Sequence, residues 1–120
     1  MRFFGELEAR LMAILWARGN PTTVRELLEE LKADRPIAYT TVITVVERLR
    51  AKGWVTRERS GRAYCYTPTL AEHEFSAHLM GQVLQGSSDR SAALLSFAGQ
   101  LDPEEARALR AALEASPRDH

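Results

Sequence analysis

Three amphipathic helices are predicted in the first half of the chain, because hydrophobic residues recur there at intervals of three and four. The first helix covers about residues 6–17, and the second covers about residues 23–32. The second begins with Thr23 and Glu26, the two residues of a capping box. The third covers residues 38–53 and ends at Gly53, the residue favoured in the left-handed position after a helix. The inward residues are Leu7, Leu11, Ile14, Leu15, Val24, Leu27, Leu28, Leu31, Val42, Val45, Val46 and Leu49.

After Gly53 the hydrophobic pattern changes from helical to alternating, which predicts a β-hairpin. Residues 54–59 and 62–67 alternate, and the turn signal Ser60-Gly61 separates them. Three helices followed by a hairpin predict a winged helix-turn-helix. In that fold the third helix enters the major groove of DNA, and the hairpin, or wing, lies over the backbone or the minor groove.

Three shorter helices are predicted in the second half, at about residues 71–84, 89–100 and 103–115. Asp102 and Pro103 mark the start of the last one, since Asp caps helix N-termini and Pro suits the first turn. The apolar faces of these helices are too short and sparse to form an independent core, so they need a partner surface. We expect a second copy of the chain to provide it, giving a homodimer interface of Phe75, Leu79, Val83, Leu94, Phe97, Leu109 and Leu113.

The predicted fold class is therefore mainly α (α+β). Residues 1–69 are expected to form a winged helix-turn-helix DNA-binding domain with a two-stranded wing, and residues 70–120 a helical dimerisation domain.

Charge is divided unevenly, although the whole chain has 16 basic and 16 acidic residues. Residues 1–68 contain twelve Lys and Arg against eight acids, and residues 69–120 contain four against eight. A basic N-terminal unit favours a nucleic-acid partner for that unit. The alternative is chance, because a difference of this size is only moderately unusual.

The outward face of the third helix combines hydroxyl groups, one branched apolar side chain and a cation. Threonine hydrogen-bonds several bases or places its methyl group against thymine, whereas arginine suits guanine. The basic residues at the end of this helix and in the hairpin are expected to contact phosphates. The predicted DNA-binding residues are Thr40, Thr41, Ile43, Thr44, Arg48, Arg50, Lys52, Arg59 and Arg62, with Arg57 as a further phosphate contact.

Structural alternatives exist for several of these residues. The alternative for Thr40 and Thr41 is helix capping, and for Arg48 it is a salt bridge to Glu26 or Glu47. The hairpin arginines would alternatively protect a sheet edge from aggregation. Tyr64 and Tyr66 are expected in the core rather than as stacking platforms for bases.

No catalytic residues, metal ligands or cofactors are expected. The single cysteine, Cys65, excludes an internal disulfide and suggests a reducing, cytoplasmic location. His73 and His78 are five residues apart, which places them on different faces of a helix and argues against a metal pair. No apolar run approaches the roughly 18 residues that span a bilayer, so membrane insertion is not expected.

Two segments together carry a family resemblance. Residues 39–49, YTTVITVVERL, followed by Lys52-Gly53, and residues 61–68, GRAYCYTP, resemble the BlaI/MecI penicillinase-repressor family. The first helix, from Leu7-Glu8 to Leu15-Trp16, is similar to that family's first helix, so the similarity covers about residues 5–115. The resemblance implies a dimeric transcriptional repressor with an N-terminal winged helix and a C-terminal helical dimerisation domain.

The resemblance also implies partners and regulation. It implies a palindromic operator with half-sites similar to TACA and TGTA, control of β-lactamase or related cell-wall resistance genes, and induction through a membrane sensor-protease. The family's cleaved bond is commonly Asn-Phe, and the matching residues here are Ser96 and Phe97. The usual polar cap of the third helix is replaced by Ala38, and the C-terminal cysteine cluster of copper-responsive relatives is missing.

Two other functions remain open at this stage. One is a winged-helix module that binds protein without specific DNA binding, and the other is a winged-helix regulator that senses a small ligand. The basic hairpin and the hydroxyl-rich helix face favour DNA over the protein module. The ligand-sensing alternative keeps DNA binding, and the sequence shows no convergent polar cluster for a ligand at the dimer interface.

Overall fold

The periodic segments fold as six helices and three short strands in the computed structural model, which describes residues 4–115. Their order is α1 (Glu6–Arg18), β1 (Thr22–Thr23), α2 (Val24–Lys32), α3 (Tyr39–Ala51), β2 (Val55–Ser60), β3 (Ala63–Pro68), α4 (Glu72–Gln85), α5 (Arg90–Ala98) and α6 (Pro103–Ala115). Every predicted helix and both predicted strands are present, with ends that differ by a few residues. The winged-helix prediction is confirmed.

The helix ends follow the predicted start and stop signals. Thr23 and Glu26 form the reciprocal capping box, with bonds of 3.1 Å from the Glu26 amide and 2.9 Å from the Thr23 amide. Asp102 and Glu105 form the same arrangement at α6. Gly53 has φ of +86°, and the Trp54 amide donates to the Leu49 carbonyl at 3.0 Å, which closes α3 in a Schellman arrangement.

The sheet contains one strand more than predicted. Its order is β1-β3-β2, with both pairings antiparallel, and Thr22 and Thr23 of β1 lie opposite Tyr66 and Cys65 of β3. The expectation of a two-stranded wing is therefore incomplete, because β1 fastens one edge of the wing to the segment between α1 and α2. The β2–β3 hairpin turns through Gly61, with φ of +64°.

The core lies where α1, α2 and α3 meet the sheet. All but one of the predicted inward residues are buried there, and Leu7 is partly buried against them. Met12, Val55 and Tyr66 complete the core. Burying an aliphatic side chain of this kind contributes about 1.5–3 kcal/mol, so the low-propensity, valine-rich helix α3 is held by packing.

An aromatic cluster covers one end of this core. Phe75 is 5% exposed, and its ring centroid lies 4.9 Å from Phe4, 4.6 Å from Trp54 and 5.5 Å from Trp16. Phe75 was expected at a dimer interface, but its own chain already covers the ring. That expectation is corrected. The same packing brings the first turns of α4 into the N-terminal unit, so the compact units are residues 1–77 and 78–120 rather than 1–69 and 70–120.

The second unit buries little of its apolar surface. None of the residues of α5 or α6, all of which the structure describes, is buried. Phe97 is 39% exposed, Leu109 42%, Val83 46%, Leu94 52% and Leu113 54%, whereas Leu79 is partly buried. Met80 and Leu95 are further exposed apolar residues that the prediction did not include.

Candidate nucleic-acid interface

The outward face of α3 carries four exposed polar side chains without an acid among them: Thr40, Thr41, Thr44 and Arg48. The N-cap residue is Ala38, which makes no side-chain capping bond, and α3 has no acidic residue in its first turn. The capping alternative for Thr40 and Thr41 is therefore wrong. Ile43 differs in part from its prediction, because it is half-buried and packs against the core.

The hydroxyl of Thr44 is oriented by its own helix. Its Oγ donates to the Thr40 carbonyl at 2.9 Å, so the hydroxyl proton is committed to the backbone. The oxygen lone pairs and the methyl group remain available. Thr44 can accept from the amino group of adenine or cytosine, or contact the methyl group of thymine.

Arg48 projects from the same face without a salt bridge among the described residues. The two carboxylates proposed as its alternative partners are engaged elsewhere, Glu26 with Arg18 and Glu47 with Arg50 and Arg57. The salt-bridge alternative for Arg48 is wrong, and its guanidinium remains available to a ligand.

Glu47 is the centre of a polar network between α3 and the wing. One carboxylate oxygen accepts from the Arg50 Nε at 3.0 Å. The other accepts from the Arg57 guanidinium at 2.9 Å and from the Tyr66 hydroxyl at 2.6 Å. Partial burial raises the pKa of Glu47. The hydrogen bonds from Tyr66 and Arg50 and the charges of Arg50 and Arg57 lower it by more, so the net pKa is below its usual value and the carboxylate stays ionised.

Lys52 differs from its predicted role. Its Nζ lies 3.0 Å and 3.2 Å from the two carboxylate oxygens of Glu8, a residue of α1 that is 5% exposed. Burial raises the pKa of Glu8, whereas the Gly5 amide, Lys52 and the charge of Arg48 lower it, with a net decrease. Lys52 therefore compensates a buried carboxylate and joins α1 to α3.

Arginine and tyrosine side chains cover one face of the wing. The Arg57 guanidinium lies 4.1 Å from the centre of the Tyr64 ring, and that of Arg59 lies 5.6 Å from the same ring. Tyr66 is buried as predicted, but Tyr64 is 38% exposed. Tyr64 and Tyr66 point to the same face of β3. Tyr66 contacts Glu47 of α3 and is buried, whereas Tyr64 lies farther along the hairpin and stays partly exposed. Arg59 and Arg62 are exposed.

Arg25 is a basic residue near α3 that the sequence pattern did not indicate. Its guanidinium lies 5.8 Å from the ring centre of Tyr39, the first residue of α3, and Tyr39 is 43% exposed. The available signal was an outward arginine in the first turn of α2, but the contact with Tyr39 depends on how the two helices pack.

The remaining predicted site residues lie in the second unit. Ser96 and Phe97 are exposed and belong to α5, near its C-terminal end. Over residues 4–115 no helix combines the length and the apolar character needed to cross a bilayer.

Comparison with known proteins supports the resemblance. The penicillinase repressor family model matches residues 4–115. The chain is 44% identical over 112 residues to the transcriptional regulator BlaI of Mycobacterium tuberculosis, covering 91% of this chain and 81% of the relative. It is 27% identical over 70 residues to the penicillinase repressor of Bacillus licheniformis, covering 58% of this chain and 54% of that relative.

A solved structure agrees with the N-terminal fold. The DNA-binding domain of the repressor BlaI superposes with a TM-score of 0.52 and 26% identity, covering 58% of this chain and 84% of that domain. From the family match over nearly its whole length and its similarity to the M. tuberculosis regulator, the chain belongs to the penicillinase repressor family.

Proposed function

We propose that this chain, a DNA-binding transcriptional repressor by its family, binds a two-fold symmetric operator as a homodimer. In this proposal α3 enters the major groove and the β2–β3 wing follows the adjacent backbone. The observation that carries the proposal is the exposed strip of Thr40, Thr41, Thr44 and Arg48. It has no acid, and the one carboxylate beside it, that of Glu47, is turned to arginines.

Base recognition is assigned to this strip. The Arg48 guanidinium is suited to guanine, and Thr44 acts as an acceptor or through its methyl group because its proton is bonded to Thr40. Thr40 and Thr41 make no capping bond that would compete with a base contact.

Phosphate binding is assigned to exposed arginines of the two elements that contact α3. Arg59 and Arg62 belong to the wing, and Arg25 of α2 lies beside Tyr39 at the start of α3. Arg50 is 41% exposed and keeps some capacity for a phosphate although it pairs with Glu47. Lys52 is left out because its ammonium is committed to Glu8.

A salt series tests the DNA-binding proposal. We expect the chain to bind a duplex that it selects from a random-sequence pool, with affinity that falls steeply as salt rises, because phosphate contacts release counterions. Arg62→Ala should lower the slope of log affinity against log salt by about one. Failure to select any duplex at low salt would refute the proposal and favour a protein-interaction module.

Homodimer formation is assigned to the second unit. Val83, Leu94, Phe97, Leu109 and Leu113 are substantially exposed in the single chain, and large exposed apolar surfaces mark interaction sites. The predicted interface is kept without Phe75 and extended to Met80 and Leu95.

Matched charge substitutions test the interface. Leu113→Glu places a charge on the apolar face of α6 and should shift sedimentation towards monomer. Ala111→Glu adds the same charge at another exposed position of α6 and should leave the dimer intact. Equal behaviour of the two variants would exclude the apolar face of α6 from the interface.

We also propose the bond between Ser96 and Phe97 as the site at which a sensor-protease would inactivate the repressor. Helix α5 has no buried residue, so local opening of its last turns costs little of the protein's folding free energy. The test is to incubate the chain with the sensor-protease of the organism from which it comes and to measure the masses of the fragments. Cleavage at another bond would refute it.

A further inference from the structure

The polar network around Glu47 joins three separate elements of the N-terminal unit. Glu47 lies on α3, Arg57 on β2 and Tyr66 on β3, and Arg57 and Tyr66 are direct cross-strand partners. One carboxylate oxygen of Glu47 accepts hydrogen bonds from both wing residues, from the Arg57 guanidinium at 2.9 Å and from the Tyr66 hydroxyl at 2.6 Å. The wing is thus bonded to the helix that carries the base-contacting strip.

The contacts continue from this network to the outer part of the wing. The Arg57 guanidinium bonds to Glu47 and also lies against the ring of Tyr64, which in turn lies 5.6 Å from the Arg59 guanidinium. Arg59 Nε also donates to the Gly61 carbonyl at 3.4 Å, so this arginine is held within the hairpin while the hairpin is joined to α3 through Glu47.

We propose that Glu47 is a positioning residue, which sets the wing on α3 so that the base-contacting helix and the phosphate-contacting arginines engage DNA as one rigid unit. The inference rests on the proposed function and assigns to the carboxylate no contact with a base. It explains how an acid is tolerated on a DNA-facing helix: Arg50, Arg57 and Tyr66 saturate both oxygens.

The competing view treats Glu47 simply as a negative charge near DNA. The two views predict opposite signs for Glu47→Gln. Loss of a charge alone would tighten binding, because the repulsion of phosphate decreases. Loss of positioning would weaken binding, because the wing arginines would no longer be held in register with α3.

A matched control separates the two views. Glu58 is exposed on β2 of the same hairpin, and Glu58→Gln removes one negative charge without touching the network. Tyr66→Phe keeps the buried ring and removes only the hydroxyl that donates to Glu47. This second variant retains the acid, so its effect cannot come from a change in net charge.

The experiment uses the full chain and the duplex that the wild-type protein selects from a random-sequence pool. We expect Glu47→Gln and Tyr66→Phe to bind this duplex about tenfold more weakly than Glu58→Gln, the lower end of what the loss of a hydrogen bond to a charged group costs. Hydroxyl-radical footprints should lose protection of the deoxyriboses under the wing and keep protection of the backbone that flanks α3. In both network variants the slope of log affinity against log salt should fall by up to about two, because the phosphate contacts of Arg59 and Arg62 would be lost.

Each result leads to a decision. If Glu47→Gln binds and protects DNA as Glu58→Gln does, the inference is overturned while the proposed function stands. If Glu47→Gln fails to fold by circular dichroism, Tyr66→Phe decides in the same way. If the wild-type chain selects no duplex, the proposed function is overturned and the inference falls with it.

Discussion

Lys52→Met should destabilise the protein and leave its DNA binding almost unchanged. The sequence pattern assigned Lys52 to phosphate, but its ammonium lies within 3.2 Å of both oxygens of a carboxylate, Glu8, that is 5% exposed. Methionine preserves the length and apolar stem of lysine and removes only the charge. The substitution therefore leaves Glu8 with the Gly5 amide, at 3.0 Å, as its remaining hydrogen-bond donor.

The expected magnitude follows from the unequal exposure of the two partners. Breaking a fully buried ion pair costs about 3–5 kcal/mol, because the remaining charge is buried without compensation. The Lys52 side chain is 41% exposed, so water can replace part of the lost interaction. We expect a loss of about 1–3 kcal/mol, which for a small domain lowers Tm by about 4–8 °C per kcal/mol.

Thermal unfolding of four proteins provides the assay: wild type, Lys52→Met, Glu8→Gln and the double variant. Glu8→Gln should lower the free energy of unfolding less than Lys52→Met does. The glutamine side-chain oxygen still accepts the hydrogen bond from the Gly5 amide, and the Lys52 ammonium is free to bind water. The double variant should resemble Glu8→Gln alone. Arg62→Met is the control for a residue that is proposed to contact phosphate. It should leave Tm unchanged and lower the slope of log affinity for DNA against log salt. A Lys52→Met protein with wild-type Tm and a lower salt slope would refute the reasoning.

The pH dependence of the same comparison follows from the lowered pKa of Glu8. A carboxylate whose folded pKa lies below its unfolded value stabilises the folded state above the unfolded value, near 4.5, and loses that contribution as pH falls through the folded pKa. The stability difference between wild type and Lys52→Met should therefore be full at neutral pH. The difference should shrink as the pH falls from 4.5 through the lowered folded pKa of Glu8, because a protonated Glu8 needs no charged partner.

Three further substitutions test the core, the aromatic cluster and the proposed base contact of Thr44. Leu49→Ala empties a fully buried position of α3 and should cost about 2–5 kcal/mol of unfolding free energy, measured by urea denaturation. Phe75→Ala should lower the free energy of unfolding by about 3–5 kcal/mol without changing the sedimenting mass. Conversion of the proposed dimer to a monomer would show instead that Phe75 belongs to the dimer interface. Thr44→Ala should weaken binding to the selected duplex by about 1–3 kcal/mol and to random DNA much less, whereas equal losses would make Thr44 structural.

The helices and the hairpin were predictable because each is specified by a local signal. The three-and-four spacing fixed the buried faces of α1, α2 and α3, and the Thr23–Glu26 pair and Gly53 marked ends that the structure reproduces. Strand β1 was missed because two residues, Thr22 and Thr23, are too few to show a period. Their pairing with β3 depends on residues more than forty positions away.

The partners of charged residues were less predictable than the faces on which they lie. Lys52 and Glu8 are separated by 44 residues, and nothing in the sequence near Lys52 distinguishes it from Arg48, which makes no salt bridge among the described residues. Phe75 shows the same limit for apolar residues. Its spacing with Leu79 and Val83 indicated one stripe, but Phe75 packs within the N-terminal unit, whereas Leu79 and Val83 belong to the second unit.

Glu47 shows how tertiary contacts alter the meaning of a helix face. An outward acid among residues assigned to base contacts would repel phosphate, and the sequence indicated Glu47 as an alternative salt-bridge partner of Arg48. In the structure Arg50, Arg57 and Tyr66 surround the carboxylate, and Arg57 is thereby withdrawn from the set of phosphate contacts. The exposed arginines assigned to DNA without a competing carboxylate are then Arg25, Arg48, Arg59 and Arg62. Under the proposed function, Glu47 acts on operator binding without touching DNA, because it holds side chains of the wing beside the helix that is assigned to base contacts.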